Sequence, residues 1–252
     1  MLGLSLDDAV RVAEKIPGPV FNALAPIAAK HGMYIACPMM QRWGGRVYNS
    51  VAVIDRMGKH AGSYFKVHPT IWEIEAGTRP GTECKVFRAD FGTIGFTTCF
   101  DLNYEGTMRQ LRAKGVRLVF FPSMYPGGLQ LKLWAFTYGV YLVSAYNGEG
   151  SMIVDPLGRV VMESSAYSPI ICKTLNLDYE VLHLDYNHEK FTAIKNRYGP
   201  KVILDVSRPE AVFMLTADSE GLTASGVVRE FELETRSKYL RRALRIRREA
   251  LN

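Results

Sequence analysis

The chain of 252 residues has no long hydrophobic run and few cysteines. Its longest apolar stretches, VRLVFFPSMY and YGVYLVSAY, are well short of the roughly 18 residues that a membrane-spanning helix needs, and no basic-then-apolar leader opens the chain. The four cysteines are Cys37, Cys84, Cys99 and Cys172, and no two of them form a CxxC pair. These absences argue against a membrane protein, a metal site and a disulfide framework, and they predict reduced thiols in a cytoplasmic protein.

Linkers, low-complexity segments and internal repeats are also absent from the sequence. A hydrophobic content of 48% in 252 residues is enough for one large core. We therefore expect a single domain over residues 1–252.

The excess of positive charge is concentrated at the C terminus. The net charge is +6, and much of the arginine lies in RSKYLRRALRIRREALN, which has no interleaved aromatic platform. Leu240, Leu244 and Ile246 follow helical spacing there, which predicts an amphipathic helix that is solvated, caps its own domain or contacts another subunit. We expect no nucleic-acid partner.

Hydrophobic periodicity predicts a mixed α/β chain rich in strands. Helices are predicted over 5–15, in SLDDAVRVAEK, and over 20–32, where Gly32 is a good terminator. Strands are predicted in MYIACPMM, RVYNSVAVID, HAGSYFKV and KVFRADFGTIGFTTC, and helices and strands then alternate as far as the hairpin SMIVDPLGRVVMES. After Thr174 the strand pattern is lost, and an extended crossing followed by a polar-faced helix is predicted.

Four residues between positions 66 and 99 could carry chemistry, but local pattern leaves each with an alternative. Cys99 ends a buried strand just before a possible helix N-terminus, which favours a thiolate, although a small core residue is the commoner interpretation. Lys66 closes a strand and either faces a developing oxyanion or reaches solvent. Glu73 and Glu75 either orient that lysine or are solvated loop acids. His68, directly before Pro69, is interpreted as a structural hydrogen-bonding residue.

The run from YFKVHPT to FGTIGFTTCFDLNYEG resembles the nitrilase superfamily of carbon-nitrogen hydrolases, whose signature is K-x-H upstream of G-x-x-x-C-[FY]-[DE]. The resemblance covers about residues 17–178 and leaves 179–252 as a C-terminal extension and helix. It implies a four-layer αββα sandwich, homodimers or larger homo-oligomers formed by packing sandwich on sandwich, and catalysis without a metal or organic cofactor.

The resemblance also implies roles for particular residues. Cys99 would be the nucleophile, and Lys66 would stabilise the oxyanion with help from the backbone N–H of Phe100. A second glutamate would support the lysine, and we place it at Glu73, with Glu75 as the alternative.

Substrate-pocket residues are expected in SMYPGGLQLKLW, the segment that follows Pro122. Tyr125 and Trp134 are the candidates. The alternative for Trp134 is a core position in a helix.

One member of the family's catalytic set has no match. Its general-base glutamate lies at a strand end ahead of the segment matched by IPGPVFNALAPIAAKHGMYI, where this chain has only Asp7, Asp8 and Glu14, all in the predicted first helix. The family's first strand, first helix and second strand also lack counterparts. We expect either an N-terminally truncated enzyme or a shortened, catalytically weakened homologue.

The leading functional hypothesis is a hydrolase that cleaves a non-peptide carbon-nitrogen bond in a small amide, carbamoyl compound or nitrile through a cysteine thioester. The alternative is a non-enzymatic family member that serves as a subunit or binding module, because the general base is absent.

Overall fold

The computed structural model describes residues 10–251 and is built around a sheet of six strands. In spatial order, which is also chain order, these are β4 (Val86–Ala89), β5 (Gly92–Phe96), β6 (Leu118–Ser123), β7 (Tyr141–Tyr146), β8 (Met152–Val154) and β9 (Val160–Glu163). The central strands β5, β6 and β7 are parallel and the outer pairings are antiparallel. The residues that follow β5 and β6 therefore lie at one edge of the sheet, and those that precede β6 and β7 lie at the opposite edge.

Two three-stranded sheets form the second β layer. One consists of β1 (Ile35–Trp43), β2 (Arg46–Ile54) and β3 (His60–Phe65), and the other of β10 (Tyr179–His183), β12 (Val212–Ala217) and β11 (Val202–Ser207), each in that spatial order. Both sheets pack on the same face of the large sheet through a shared apolar cluster that includes Val51, Tyr64, Phe96, Tyr141 and Met214. The core between the two layers is thus contributed by all three sheets.

Helices cover the two outer faces. On the large sheet lie α3 (Glu105–Ala113) and α4 (Gly128–Tyr138), and on the small sheets lie α1 (Pro19–His31), α5 (Phe191–Tyr198) and α6 (Ala224–Glu230). A short α2 (Ile71–Glu75) follows β3, and α7 (Arg236–Glu249) ends the described chain. The order is helix, sheet, sheet, helix, which confirms the predicted αββα sandwich. Within residues 10–251 every helix is too short or too polar to traverse a bilayer.

Most predicted elements before residue 164 are present. The helix that begins at Pro19 ends at Gly32, which takes the left-handed conformation with φ 57° and donates its backbone N–H to the carbonyls of Ala28 and Ala29. A left-handed C-terminal residue is least costly as glycine, which is the reason that the sequence marks this helix end so clearly.

Two predictions are wrong. The helix over 5–15 does not reach its predicted end. Among the described residues 10–15, only Val10 and Arg11 are helical, and Glu14 pairs with β1 through backbone hydrogen bonds to Met40 and Arg42. Residues 5–9 lie outside the described part of the chain.

The second error is the loss of strands after Thr174. The third sheet, β10 to β12, occupies much of the segment that was predicted without strands. All six residues of β12 are buried, since Val212 and Met214 face the large sheet while Phe213 and Leu215 face α5 and α6. A strand that is covered on both faces has no polar and apolar alternation to read.

Candidate active site

The turn that carries the predicted nucleophile, Cys99, spans residues 98–103 and begins two residues after β5. It is named the nucleophile turn after that prediction. Cys99 is partly buried and has φ 49°. This left-handed conformation costs a non-glycine residue about 1–3 kcal/mol and persists only where the surrounding structure holds it. Cys99 opens a 3₁₀ turn, Cys99–Asn103, which leads into α3. The strained backbone projects this cysteine at the carboxyl edge of the parallel strands.

Asp101 holds the nucleophile turn in place. Its carboxylate is fully buried and accepts hydrogen bonds from the Tyr64 hydroxyl at 2.7 Å and the Thr98 N–H at 3.0 Å. The other oxygen accepts from the His68 N–H at 2.7 Å and lies 3.1 Å from His68 Nδ1. Burial, together with the neighbouring charge of Asp101, raises the pKa of Tyr64 well above its ordinary value. The contacts tie the turn that carries Cys99 to the segment on either side of Lys66.

We expect Asp101→Asn to lower the free energy of unfolding by about 3 kcal/mol, because an amide nitrogen would replace one of two oxygens that accept buried hydrogen bonds. Asp90→Asn is the matched control, since Asp90 pairs with Arg56 at an exposed site and should change stability by about 0.5 kcal/mol or less. Urea denaturation measures both variants. Equal losses in the two variants would contradict the anchoring role.

Lys66 and Glu73 form a buried ion pair. Lys66 is 1% exposed and Glu73 8%, and Lys66 Nζ lies 2.7 Å from Glu73 Oε2. Lys66 follows β3 directly, and its backbone is held by hydrogen bonds with Asn49 and Gly81. The ion pair with Glu73 fixes the position of the Lys66 ammonium, which suits it to stabilise a developing negative charge.

Three donors surround the Glu73 carboxylate. Besides Lys66, Asn49 Nδ2 donates to Oε1 at 2.7 Å and the Thr70 N–H donates to Oε2 at 2.7 Å, while Thr70 Oγ1 accepts from the Glu73 N–H. Burial alone would raise the pKa of Glu73, but the hydrogen bonds from Lys66, Asn49 and Thr70 outweigh it, and the pKa lies below its ordinary value. Glu73 is therefore ionised at neutral pH.

The stabilisation that Glu73 provides should disappear in acid. Above the unfolded pKa of about 4.3 the carboxylate is charged in both states and its contribution is complete. As the pH falls from that value through the lower folded pKa, the unfolded chain takes up a proton that the folded chain does not, and the free energy of unfolding falls. The stability difference between wild type and Glu73→Gln should be constant above about pH 5 and narrow below 4.3.

Urea titrations at stepped pH measure this difference. Glu75→Gln is the matched control, because Glu75 lies on the same short helix and is exposed. We expect its difference from wild type to be small and flat. A Glu73→Gln difference that is also flat down to pH 3 would contradict the assignment.

Glu75 and Phe100 are the two other candidates near Lys66 and Cys99. Glu75 is the last residue of α2 and is exposed, so the structure brings Glu73 and not Glu75 to the lysine. Phe100 is partly buried in the nucleophile turn, with its ring edge-on to Tyr104. The His68 ring stacks on the Tyr104 ring with a distance of 3.9 Å between the ring centroids. The hydrogen bond between His68 and Asp101 fits the structural role expected for His68.

The predicted pocket residues both contact the nucleophile turn. The Tyr125 hydroxyl donates to the Cys99 carbonyl at 3.1 Å, and burial followed by the charges of Cys99 and Asp101 raises the pKa of Tyr125 to about 12. Trp134 lies in α4, packs against the core on the helix side of the large sheet, and donates from Nε1 to the Leu102 carbonyl at 2.8 Å. Trp134 therefore has the contacts of a partly buried core residue, and its hydrogen bond stabilises the turn that carries Cys99.

A third carboxylate does not join this group. Within residues 10–251, Glu73 alone among the carboxylates is hydrogen-bonded or ion-paired to Lys66. Glu14 pairs with a strand, contrary to the helical position predicted for it, but its Oε2 accepts from the N–H of Val20 at 3.0 Å and so serves the start of α1. Asp7 and Asp8 lie outside the described residues.

Sequence reasoning did not assign Asn49 and Asp101 to the site. Asn49 contacts a carboxylate 24 positions away, and Asp101 contacts groups 33 and 37 positions away. The signals present were a polar residue inside the strand RVYNSVAVID and the acidic position of the family signature. The part of the chain from 10 to 251 contains no cluster of three or more His, Cys, Asp or Glu side chains able to hold a metal ion.

The fold is that of the carbon-nitrogen hydrolases. The sequence pattern of that family matches residues 3–180, which is most of the chain, so this protein belongs to the carbon-nitrogen hydrolase family. The match confirms the resemblance to the nitrilase superfamily and leaves residues 181–252 outside it.

Individual relatives are distant. The chain is 25% identical over 193 residues to omega-amidase NIT2 of Xenopus tropicalis, covering 66% of this chain and 70% of the relative. It is 30% identical over 109 residues to the bifunctional nitrilase/nitrile hydratase NIT4B of Lupinus angustifolius, covering 43% of this chain and only 31% of the relative. The matched segment thus spans about a third of the nitrilase relative.

Solved structures share the fold. Nit3 of Saccharomyces cerevisiae, a member of branch 10 of the nitrilase superfamily, superposes with a TM-score of 0.57 at 20% identity, covering 64% of this chain and 67% of Nit3. An amidase from Nesterenkonia sp. superposes with a TM-score of 0.53 at 21% identity, covering 64% and 65%.

Proposed function

We propose that this protein hydrolyses a non-peptide carbon-nitrogen bond in a small amide, carbamoyl compound or nitrile, with Cys99 as the nucleophile. The observation that supports it most is the buried Lys66–Glu73 pair, whose strand end is tied to the turn carrying Cys99 through Asp101. A fixed cation, a strained cysteine and a rigid connection between them form the arrangement that acyl transfer through a thioester requires.

The proposed reaction has two halves. The Cys99 thiolate adds to the carbonyl carbon, and Lys66 with the Phe100 N–H stabilises the tetrahedral oxyanion. The carbon-nitrogen bond breaks, the nitrogen takes the proton that the Cys99 thiol gave up and leaves as ammonia or an amine, and a thioester remains. Water then adds to the thioester carbon, the carbon-sulfur bond breaks, and a carboxylate and the cysteine are released. A nitrile would form a thioimidate first, and water would convert it to the thioester with loss of ammonia.

Glu73 is assigned a positioning role, and Tyr125 is assigned to the pocket wall beside Cys99. The omega-amidase relative and the amidase among the similar structures favour an amide over a nitrile as the first substrate class to test. We further propose a cytoplasmic enzyme of one domain that acts as a homodimer or larger homo-oligomer and uses neither a metal nor an organic cofactor.

A second candidate is a non-catalytic member of the family that acts as a subunit or binding module. Two observations favour it: Glu73 is the only carboxylate bound to Lys66 within residues 10–251, and the Glu14 carboxylate already accepts a hydrogen bond from the Val20 N–H. A thiol that lacks a proton acceptor is a poor nucleophile.

The test is to incubate the full chain with a panel of small amides, carbamoyl compounds and nitriles, and to measure released ammonia and the mass of the peptide that contains Cys99. Turnover with an acyl adduct on that peptide supports the hydrolase. Calorimetric binding of an amide with neither ammonia release nor adduct supports the binding module. An adduct without turnover would place the defect in the second half of the reaction.

A further inference from the structure

A cavity of about 260 Å³ lies at the opposite edge of the large sheet from Cys99. Its wall includes Arg117, directly before β6, and Gly139, close before β7, whereas Cys99 follows the far end of β5. Arg236 and Ser237 at the start of α7 close the cavity from the C-terminal segment, which lies beyond the family match. The cavity is therefore separate from the candidate active site and is built partly from the arginine-rich tail.

The lining carries an excess of positive charge. Among the described residues that line it are three guanidinium groups, from Arg112, Arg117 and Arg236, and one carboxylate, from Glu180. Arg117 Nη2 lies 2.8 Å from Glu180 Oε1, so this pair is neutral. Two guanidinium groups are left without a carboxylate in the cavity wall.

Arg236 is only partly satisfied by protein groups. One of its terminal nitrogens, Nη2, donates to the carbonyls of Phe136 and Thr137 at the end of α4. The other, Nη1, is buried and has no hydrogen-bond partner within residues 10–251. Burial, and then the nearby positive charge of Arg112, lower the pKa of Arg236. Because Nη1 is shielded from solvent, it is out of reach of an anion in the cavity, and Arg236 contributes its positive charge to the cavity wall.

The remaining wall supplies further donors. Thr235 caps the N-terminus of α7, a helix of 14 residues, and its hydroxyl oxygen lies 3.3 Å from that of Ser237. Two hydroxyl groups and the positive end of the helix therefore lie together at the cavity. Arg112 uses Nε for the Tyr138 carbonyl, and the rest of this exposed guanidinium borders the cavity. Arginine forks, hydroxyls and a helix N-terminus are the groups that bind phosphoryl oxygens in proteins.

We propose that this cavity is a binding site for a phosphoryl dianion, either inorganic phosphate or the phosphate of a small monoester. The two unmatched guanidinium groups, from Arg112 and Arg236, balance its charge. The volume is slightly below the range of about 300–1,000 Å³ that is usual for drug-sized ligands, which suits a phosphoryl group with a small substituent.

The experiment is a calorimetric titration of the full chain with inorganic phosphate at pH 8, at ionic strength matched with potassium chloride, together with the shift in the unfolding temperature. We expect saturable binding and a rise in unfolding temperature that chloride does not reproduce. Arg112→Gln should weaken binding by about tenfold, since one charge-assisted contact is lost. Arg109→Gln is the matched control, because it removes an exposed arginine from the same helix outside the cavity and should leave affinity unchanged.

Several outcomes would overturn the proposal. The first is a phosphate titration of wild type that gives neither heat nor stabilisation beyond the chloride control. The second is an equal loss of phosphate affinity in Arg109→Gln and Arg112→Gln. The third is an affinity for acetate that equals the affinity for phosphate. The wild-type titration decides the first point even if a variant fails to fold.

Discussion

Replacing Cys99 with alanine is expected to abolish ammonia release, with a fall in turnover of at least about 10³-fold, because the covalent route is closed when its nucleophile is removed. The variant should fold, since Cys99 is only partly buried and alanine adds no atoms. Mass analysis should find no acyl adduct on the peptide that contains position 99.

The other cysteines provide the control for this result. Cys172 is an exposed free thiol, and Cys172→Ala should leave both turnover and the adduct unchanged. Turnover that persists in Cys99→Ala would exclude the cysteine mechanism, and an adduct that moves to another peptide would place the nucleophile elsewhere.

Predictability from sequence differed between the two halves of the fold. The strands of the first hairpins could be predicted because their β-rich segments are separated by clear turn signals, WGG and Arg56-Met57-Gly58-Lys59. β12 could not, because it lies between the large sheet and two helices and is apolar throughout. The predicted first helix failed at Glu14 because its backbone groups find partners on β1, a pairing with residues 26 to 28 positions away that no local propensity reports.

The same limit applies to the candidate site. Local pattern left Cys99 closer to a core residue than to a nucleophile, and the family signature changed that interpretation. The sequence analysis placed the partner of the lysine at Glu73 with Glu75 as the alternative, and in the structure both lie on one short helix but only Glu73 contacts Lys66. Asn49 and Asp101 had only indirect signals, a polar residue inside a strand and the acidic position of the family signature, because their partners are distant along the chain.

The cavity and the candidate site are connected by two helices. α3 follows the nucleophile turn, and α4 contacts that turn through Trp134. The C-terminal end of α3 supplies Arg112, and the C-terminal end of α4 supplies the carbonyls that accept hydrogen bonds from Arg236. An anion that fixes those ends would restrain both helices against the sheet. We therefore expect any effect of phosphate on turnover to arise through the position of the turn that carries Cys99 and not through competition with substrate.

Breaking the Lys66–Glu73 pair should have a large effect on stability. Glu73→Gln leaves a buried ammonium without its counter-charge, and we expect the free energy of unfolding at pH 7 to fall by about 3 kcal/mol. Glu249→Gln is the control, since its pair with Arg245 is well exposed and should contribute nothing measurable.

The double variant Lys66→Met/Glu73→Gln separates folding from chemistry. With both charges removed, the buried site holds no uncompensated ion, so stability should recover most of the loss seen in Glu73→Gln. Turnover should not recover, because no cation remains to stabilise the oxyanion. A double variant as unstable as Glu73→Gln, or one with restored turnover, would contradict an electrostatic role for the pair and leave Lys66 as a packing residue.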